Sequence, residues 1–337
     1  MIVNQTEHNL RLTSAELAFL WSNYQADSLS SCVLKYFLEK VEDKEIKPVV
    51  EYALQLAKKH LQTIEEILNH EDIPIPHAFS EKDVNIHAPK LFDDIFIISY
   101  VHHLSRLALQ MYGYNYPITV RSDIHDFAKE CMASTTELED QARQVKLSKG
   151  IYTKPPLIPM PKKVDFVKQQ SFLTGWFGDR RPLTAIEITN LYVNIQTNSL
   201  GKALIMGFAQ VAKSEKIKEY FVRGRDIASK HIEVFHSILN NEHIPAPMSW
   251  DHNVLDSTVA PFSDKLMLAH INSINASGQV NYGIAVSSSP RRDLISHYMR
   301  LQMEVMKYTE DGINIMIDEG WLEQPPHTVD RDALVHQ

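Results

Sequence analysis

Cysteine is almost absent from this chain. Cys32 and Cys131 are the only two in 337 residues, and each falls within a predicted helix, so neither a disulfide framework nor a cysteine-based zinc finger can be built. Both are expected to be small buried thiols. Glycine is also scarce, at 11 residues. With no Gly-x-Ser-x-Gly and no glycine-rich phosphate loop, the nucleophile elbow and the P-loop are excluded. Positive charge is in deficit: the net charge is -8, and the only basic cluster, Lys162, Lys163, Lys168, Arg180 and Arg181, lies in a proline-rich linker. Neutralising phosphates requires a concentrated basic face, so nucleic acid is not an expected partner. No stretch supplies the roughly 20 apolar residues of a membrane span, and the opening MIVNQTEHNLRL lacks a basic region followed by an apolar run. The expected setting is cytoplasmic, with no membrane partner.

What is present is an ordinary globular composition, 44% hydrophobic and 23% charged, in a chain long enough for two domains. One stretch occurs twice. Lys59-His60, Ile67-Leu68-Asn69, Glu71, Ile73-Pro74 and Pro76 return 171 residues later as Lys230-His231, Ile238-Leu239-Asn240, Glu242, Ile244-Pro245 and Pro247. The repeat extends upstream, where the capping-box patterns Thr13-x-x-Glu16 and Thr184-x-x-Glu187 open equivalent helices. Downstream, Tyr112-Gly113, Asp123, Gly150 and Pro155-Pro156 are mirrored by Tyr282-Gly283, Asp293, Gly320 and Pro325-Pro326.

Helical periodicity predicts four helices in the first half, at about 13–41, 44–70, 90–112 and 122–148. Between the second and third, Pro74, Pro76 and Pro89 prevent helix. About 18 extended residues reach roughly 60 Å, longer than the roughly 39 Å of a 26-residue helix. One long crossover and otherwise short connections define a ferritin-like order rather than a plain up-down bundle. The expected fold is therefore all-α: two tandem ferritin-like four-helix bundles, each with a long crossover between its second and third helices. The expected segments are a first bundle 1–150, a proline and aromatic linker 151–182, a second bundle 183–323 and a C-terminal tail 324–337.

Ferritin-like di-iron centres need inward carboxylates on all four helices and Glu-x-x-His on two of them. Here the one Glu-x-x-His on a predicted helix is Glu233-Val-Phe-His236, and at 100° per residue both of its ends turn away from the inner stripe that holds His231. The standard site is thus missing. An inward polar cluster remains: Ser28, Gln25 and His60 in the first half, and Ser199, Gln196 and His231 in the second. A hydroxyl accepting from an imidazole N–H is the expected arrangement of each. His231, His270 and His297 lie near the inner stripes of the second bundle and form the candidate metal set, with His60 a weaker candidate; iron, manganese or zinc would be the occupant. His102, His103 and His125 are expected at the solvated surface or an interface.

The segment Gly175-Trp-Phe-Gly-Asp-Arg-Arg-Pro-Leu-Thr184 with Glu187, together with the duplicated Lys-His and Ile-Pro-x-Pro elements, resembles a family of unknown function, DUF3231, in two tandem copies. That family is related to spore coat protein F of bacilli. The resemblance implies a ferritin-like fold and a sporulation or stress context, with no established reaction. The functional expectation is a non-enzymatic, coat-like or stress-associated interaction protein with an unidentified protein partner. The alternative is a metal-binding ferritin-like oxidase or stress protein with an incomplete site in the second bundle. Because a tandem pair supplies its own pairing, a monomer with internal pseudo-two-fold symmetry is expected.

Overall fold

The computed structural model describes residues 11–176 and 180–331. Among them are eight α-helices and no strand: α1 (Ser14–Lys40), α2 (Lys47–His70), α3 (Asp94–Asn115), α4 (Ser122–Ser148), α5 (Ala185–Val211), α6 (Glu215–Asn241), α7 (Asp264–Ser288) and α8 (Arg292–Asp318). Both capping boxes form. The Glu16 carboxylate accepts from Thr13 N–H at 2.8 Å and the Glu187 carboxylate from Thr184 N–H at 2.9 Å, while each threonine hydroxyl accepts from the glutamate N–H. α3 begins four residues later than periodicity predicts, because Asp93 is its cap: Phe96 N–H donates to Asp93 Oδ1 at 2.8 Å. α4 and α8 stop before Gly150 and Gly320, whose φ values of 70° and 68° lie in the left-handed region.

The duplicated motif after α2 and α6 encodes a helix stop. Asp72 and His243 adopt φ of 52° and 57°. Ile73 N–H then reaches back to Leu68 O at 2.9 Å, and Ile244 N–H to Leu239 O at 3.0 Å. This is the Schellman pattern, and Ile73 and Ile244 pack on the cores beside Leu68 and Leu239. The prolines that follow keep the chain extended. Connections of 71–93 and 242–263 separate the second and third helices of each half, whereas the other intra-half connections span three to six residues.

Contacts divide the chain into two compact units that are not cut at the linker. Unit 1 takes residues 1–84, 101–144 and 320–337; unit 2 takes 85–100 and 145–319. The core of unit 1 is Phe19, Leu20, Ile64, Leu68, Tyr112, Ile124, Phe127 and Cys131. There the tail is anchored by Glu323, whose carboxylate accepts from His77 N–H at 2.9 Å and from Ala78 N–H. In unit 2 the core is Leu191, Ile195, Phe235, Leu239, Tyr282, Leu294, Tyr298 and Leu301. Residues 85–93 run antiparallel to 253–261 there, through Asn85 N–H to Pro261 O, Leu255 N–H to Leu91 O and Asp93 N–H to Asn253 O. The linker docks by particular groups. Tyr192 O–H donates to Thr153 O, Arg181 lies over the Phe172 ring at 4.0 Å, and Trp176 stacks on His297. Gly175 sits so close to Asp293 that a Cβ would overlap the carboxylate. Phe177 lies outside the described residues.

Candidate functional site

The inward polar positions of α1 and α2 meet in unit 1, but through a different α1 residue from the one expected. Ser28 is buried and bonds back to Gln25 O at 2.9 Å. His60 instead faces Asp27, one residue earlier, with Nδ1 3.3 Å from Oδ2. The two atoms are close without hydrogen-bond alignment, and among the described residues neither has another hydrogen-bond partner. Asp27 is only 14% exposed; burial raises its carboxyl above the usual range, against the lowering influence of His60. Tyr112 and Phe127 stand edge-on to the imidazole at 6.3 and 5.9 Å. Burial, and then the charge of Asp27, pushes the Tyr112 and Cys131 protons toward much higher pH, so neither is a nucleophile at neutrality.

Unit 2 turns the same positions into a continuous relay. His231 is fully buried. Its Nδ1 is 2.8 Å from Tyr282 Oη and its Nε2 3.1 Å from Glu304 Oε2. Asn198 Nδ2 donates to Tyr282 Oη at 3.0 Å, and Lys230 Nζ holds Glu304 at 2.7 Å. Burial lowers the imidazole pKa and outweighs the opposing pull of Glu304, so His231 is neutral at pH 7. Burial alone would raise Glu304, but Lys230 and His231 bring it below the usual carboxylate range. One tautomer satisfies every partner: Nε2–H donates to Glu304 and Nδ1 accepts from the Tyr282 hydroxyl. A cavity of about 50 Å³ between Asn198, Gly201, Ile274, Tyr282 and Tyr308 adjoins the relay. It has room for roughly three waters.

The other candidates go elsewhere. His270 is buried, with Nε2 2.9 Å from Tyr100 Oη, and burial lowers its pKa to about 3. His297 is half-buried under Trp176. Ser199 is buried, and its hydroxyl has no hydrogen-bond partner among the described residues; Gln196 donates to Tyr192 Oη at 2.7 Å. The serine–imidazole bonds expected from sequence are therefore replaced by carboxylate and phenol partners. His231, His270 and His297 are not brought together, and among the described residues no three of His, Cys, Asp and Glu are placed to hold a metal ion. Glu233 is exposed, as its helical phase requires. His102, expected at the solvated surface or an interface, is not solvated: it is buried with Nε2 3.1 Å from Glu139, and His125 bonds Thr119 at 2.9 Å.

Sequence reasoning passed over the most heavily partnered charges. In unit 1 the buried Glu16 carboxylate caps the start of α4, accepting from Val120 and Arg121 N–H at 2.8 and 2.7 Å. Arg121 grips Asp123 at 2.6 Å and Glu71 at 2.7 Å. Unit 2 repeats the arrangement. Glu187 accepts from Arg291 N–H and from both terminal nitrogens of Arg181, while Arg291 grips Asp293 at 2.7 Å and Glu242 at 3.1 Å. Each network ties the starts of two helices to the end of a third. Its signal was available, since Arg121 and Arg291 recur with the same acidic partners in each copy.

The model of a family described as a protein of unknown function, DUF3231, matches residues 1–164 and again residues 171–334. No curated protein matches the chain. A crystal structure of a candidate spore coat protein from Bacillus halodurans C-125 is similar at 18% identity, covering 44% of this chain and 98% of that chain, with a TM-score of 0.41.

Proposed function

This chain belongs to the DUF3231 family, in two tandem copies, and from that premise we propose that it is a non-enzymatic structural or interaction protein, coat-like or stress-associated, working in the cytoplasm or in the spore. The observation that carries this reading is the linker. Leu157, Met160, Val164 and Phe166 are 96%, 85%, 89% and 83% exposed within ten residues. So dense an apolar run in water marks a surface for another protein. Support also comes from the interior, where the ionisable groups are largely engaged with one another: His231 with Tyr282 and Glu304, His270 with Tyr100, Arg291 with two carboxylates. Among the described residues no helix is long and apolar enough to cross a membrane.

A metal-binding stress protein is the second reading. It is favoured by the carboxylate beside each inward histidine, Asp27 at 3.3 Å from His60 and Glu304 at 3.1 Å from His231. Iron, manganese or zinc would be held by two protein donors and water. Elemental analysis of the purified, metal-loaded protein separates the readings. The structural role expects no stoichiometric metal in the wild type, His231→Ala or Asp27→Asn. Stoichiometric metal lost in either variant would overturn it.

A further inference from the structure

α8 has two apolar faces. Leu294, Tyr298, Leu301, Val305, Tyr308 and Ile315 are buried in unit 2. On the opposite side Met299, Met303, Met306, Ile313 and Ile317 are exposed at 55%, 65%, 47%, 37% and 56%. With exposed Glu310 these positions advance by 4, 3, 4, 3 and 4 residues, so at 100° per residue they stay within about 40° of one line. The spacing is that of a coiled-coil seam. The equivalent positions of α4, 170 residues earlier, are Lys129, Ala133, Thr136, Asp140, Arg143 and Leu147. One copy of the repeat thus carries an apolar stripe where the other carries a largely polar face, and the demands of folding a bundle do not explain the difference.

The geometry points to a second copy of this chain as the occupant, its α8 lying antiparallel on this α8 about a two-fold axis. The argument is complementarity within the stripe. An antiparallel register centred near Tyr308 sets Met299 against Ile317 of the second copy and Met303 against Ile313. It leaves Glu310 opposite Met306. That one acidic position would be a defect in an apolar seam, but Lys307 of the second copy follows directly after that Met306 and reaches Glu310. The two-fold supplies this ion pair twice, bracketing the axis. A parallel arrangement would place Glu310 against Glu310. The stripe runs about 27 Å along the helix, and Val280 and Ile284 of α7, both 47% exposed, add apolar surface on a neighbouring helix. Two such faces approach the roughly 1,000 Å² of total buried area that a specific dimer needs. The inference names a partner for the interaction reading above and rests on it, but through residues of α8 and not those of the linker.

Sedimentation equilibrium of the full chain tests it, because metal content decides the reading and self-association decides this inference. The wild type is expected to be a reversible dimer. Met303→Lys, at a position too exposed to unfold the bundle, is expected to weaken dimerisation at least about tenfold with an unchanged melting temperature. Ala133→Lys, its counterpart on α4, is expected to leave the dimer intact. Lys307→Glu should weaken it, and adding Glu310→Lys should restore it. A wild type that stays monomeric at every concentration, a Met303→Lys dimer as tight as the wild type, or a charge swap that fails to restore association would each overturn the proposal.

Discussion

The hydroxyl of Tyr100 lies 2.9 Å from Nε2 of His270 in the buried interior of unit 2, and the two residues are the same position of the two repeats, 170 residues apart. A tyrosine and an imidazole make a donor–acceptor pair there, and the rings meet edge to face at 5.5 Å. His270 thereby leaves the metal set in which helical phase alone places it.

That pairing has a pH signature. His270 has a folded pKa near 3 against about 6.5 unfolded. Between those values the unfolded chain binds a proton that the native protein refuses. Its contribution is therefore complete above about pH 6.5 and is lost as pH falls toward 3. Burial lowers His231, His236 and His297 in the same direction. Urea midpoints should fall from pH 7 to pH 5, a window above the range in which the lowered carboxyls of Glu16 and Glu187 titrate. His270→Gln, whose amide oxygen still accepts from Tyr100, should flatten that slope by up to about 1.4 kcal/mol per pH unit. An unchanged slope would deny that His270 is buried neutral.

Asp27 carries the opposite sign. A carboxyl whose folded pKa lies above its unfolded value stabilises the fold only at low pH, and that contribution disappears as pH rises through the folded pKa. At pH 7 it is a net cost, which Asp27→Asn should relieve. The equivalent position in the second half is Asn198, so the amide is already accommodated in a related core. The variant should gain roughly 1 kcal/mol at pH 7 in urea denaturation, and the gain should shrink as the pH is lowered and Asp27 itself becomes neutral.

The helices, the crossovers and the duplication were legible because each rests on a local rule: capping boxes, proline exclusion, and a repeated Ile-Pro-x-Pro that closes a Schellman turn. The inwardness of His60 and His231 was legible from helical phase. Their partners were not. Asp27 and Ser28 are 100° apart on one helix, and which of them meets His60 depends on how α1 rotates against α2, which no local pattern specifies. Nor did periodicity reveal that Arg121 and Arg291 are buried, because an arginine in a short connection reads as solvated. The recurrence of Glu16, Glu71, Arg121 and Asp123 as Glu187, Glu242, Arg291 and Asp293 was the recoverable signal.

Those arginines should be unequal. The Arg291 side chain is 2% exposed and that of Arg121 10%. Replacing either with leucine takes the cation from the aspartate two residues on, and in a buried setting the loss of one charged partner costs about 3–5 kcal/mol. Arg291→Leu should approach that cost, while Arg121→Leu should cost less, since water can reach Asp123, whose side chain is 48% exposed against 4% for Asp293. Equal losses in urea denaturation would mean that burial does not set the value of these pairs.

The two inward histidines predict a further asymmetry, in their tyrosines. Tyr282 both donates to His231 Nδ1 and accepts from Asn198. Tyr282→Phe strands a buried imidazole nitrogen and takes one of two acceptors from the half-buried Asn198 amide, which keeps Asn194 O, and this should cost about 1–3 kcal/mol. Tyr112 meets His60 through a ring edge 6.3 Å away, and the His60 nitrogen nearest a polar group faces Asp27 instead. Tyr112→Phe should therefore cost less than Tyr282→Phe. The tautomer provides an independent readout: nitrogen NMR of His231 should show the proton on Nε2 in the wild type. In Tyr282→Phe the Nε2–H to Glu304 bond persists, so the same tautomer should be retained while the Nδ1 resonance shifts as its donor is lost. A proton on Nδ1 in the wild type would reverse the relay and remove the reason for the difference between the two tyrosines.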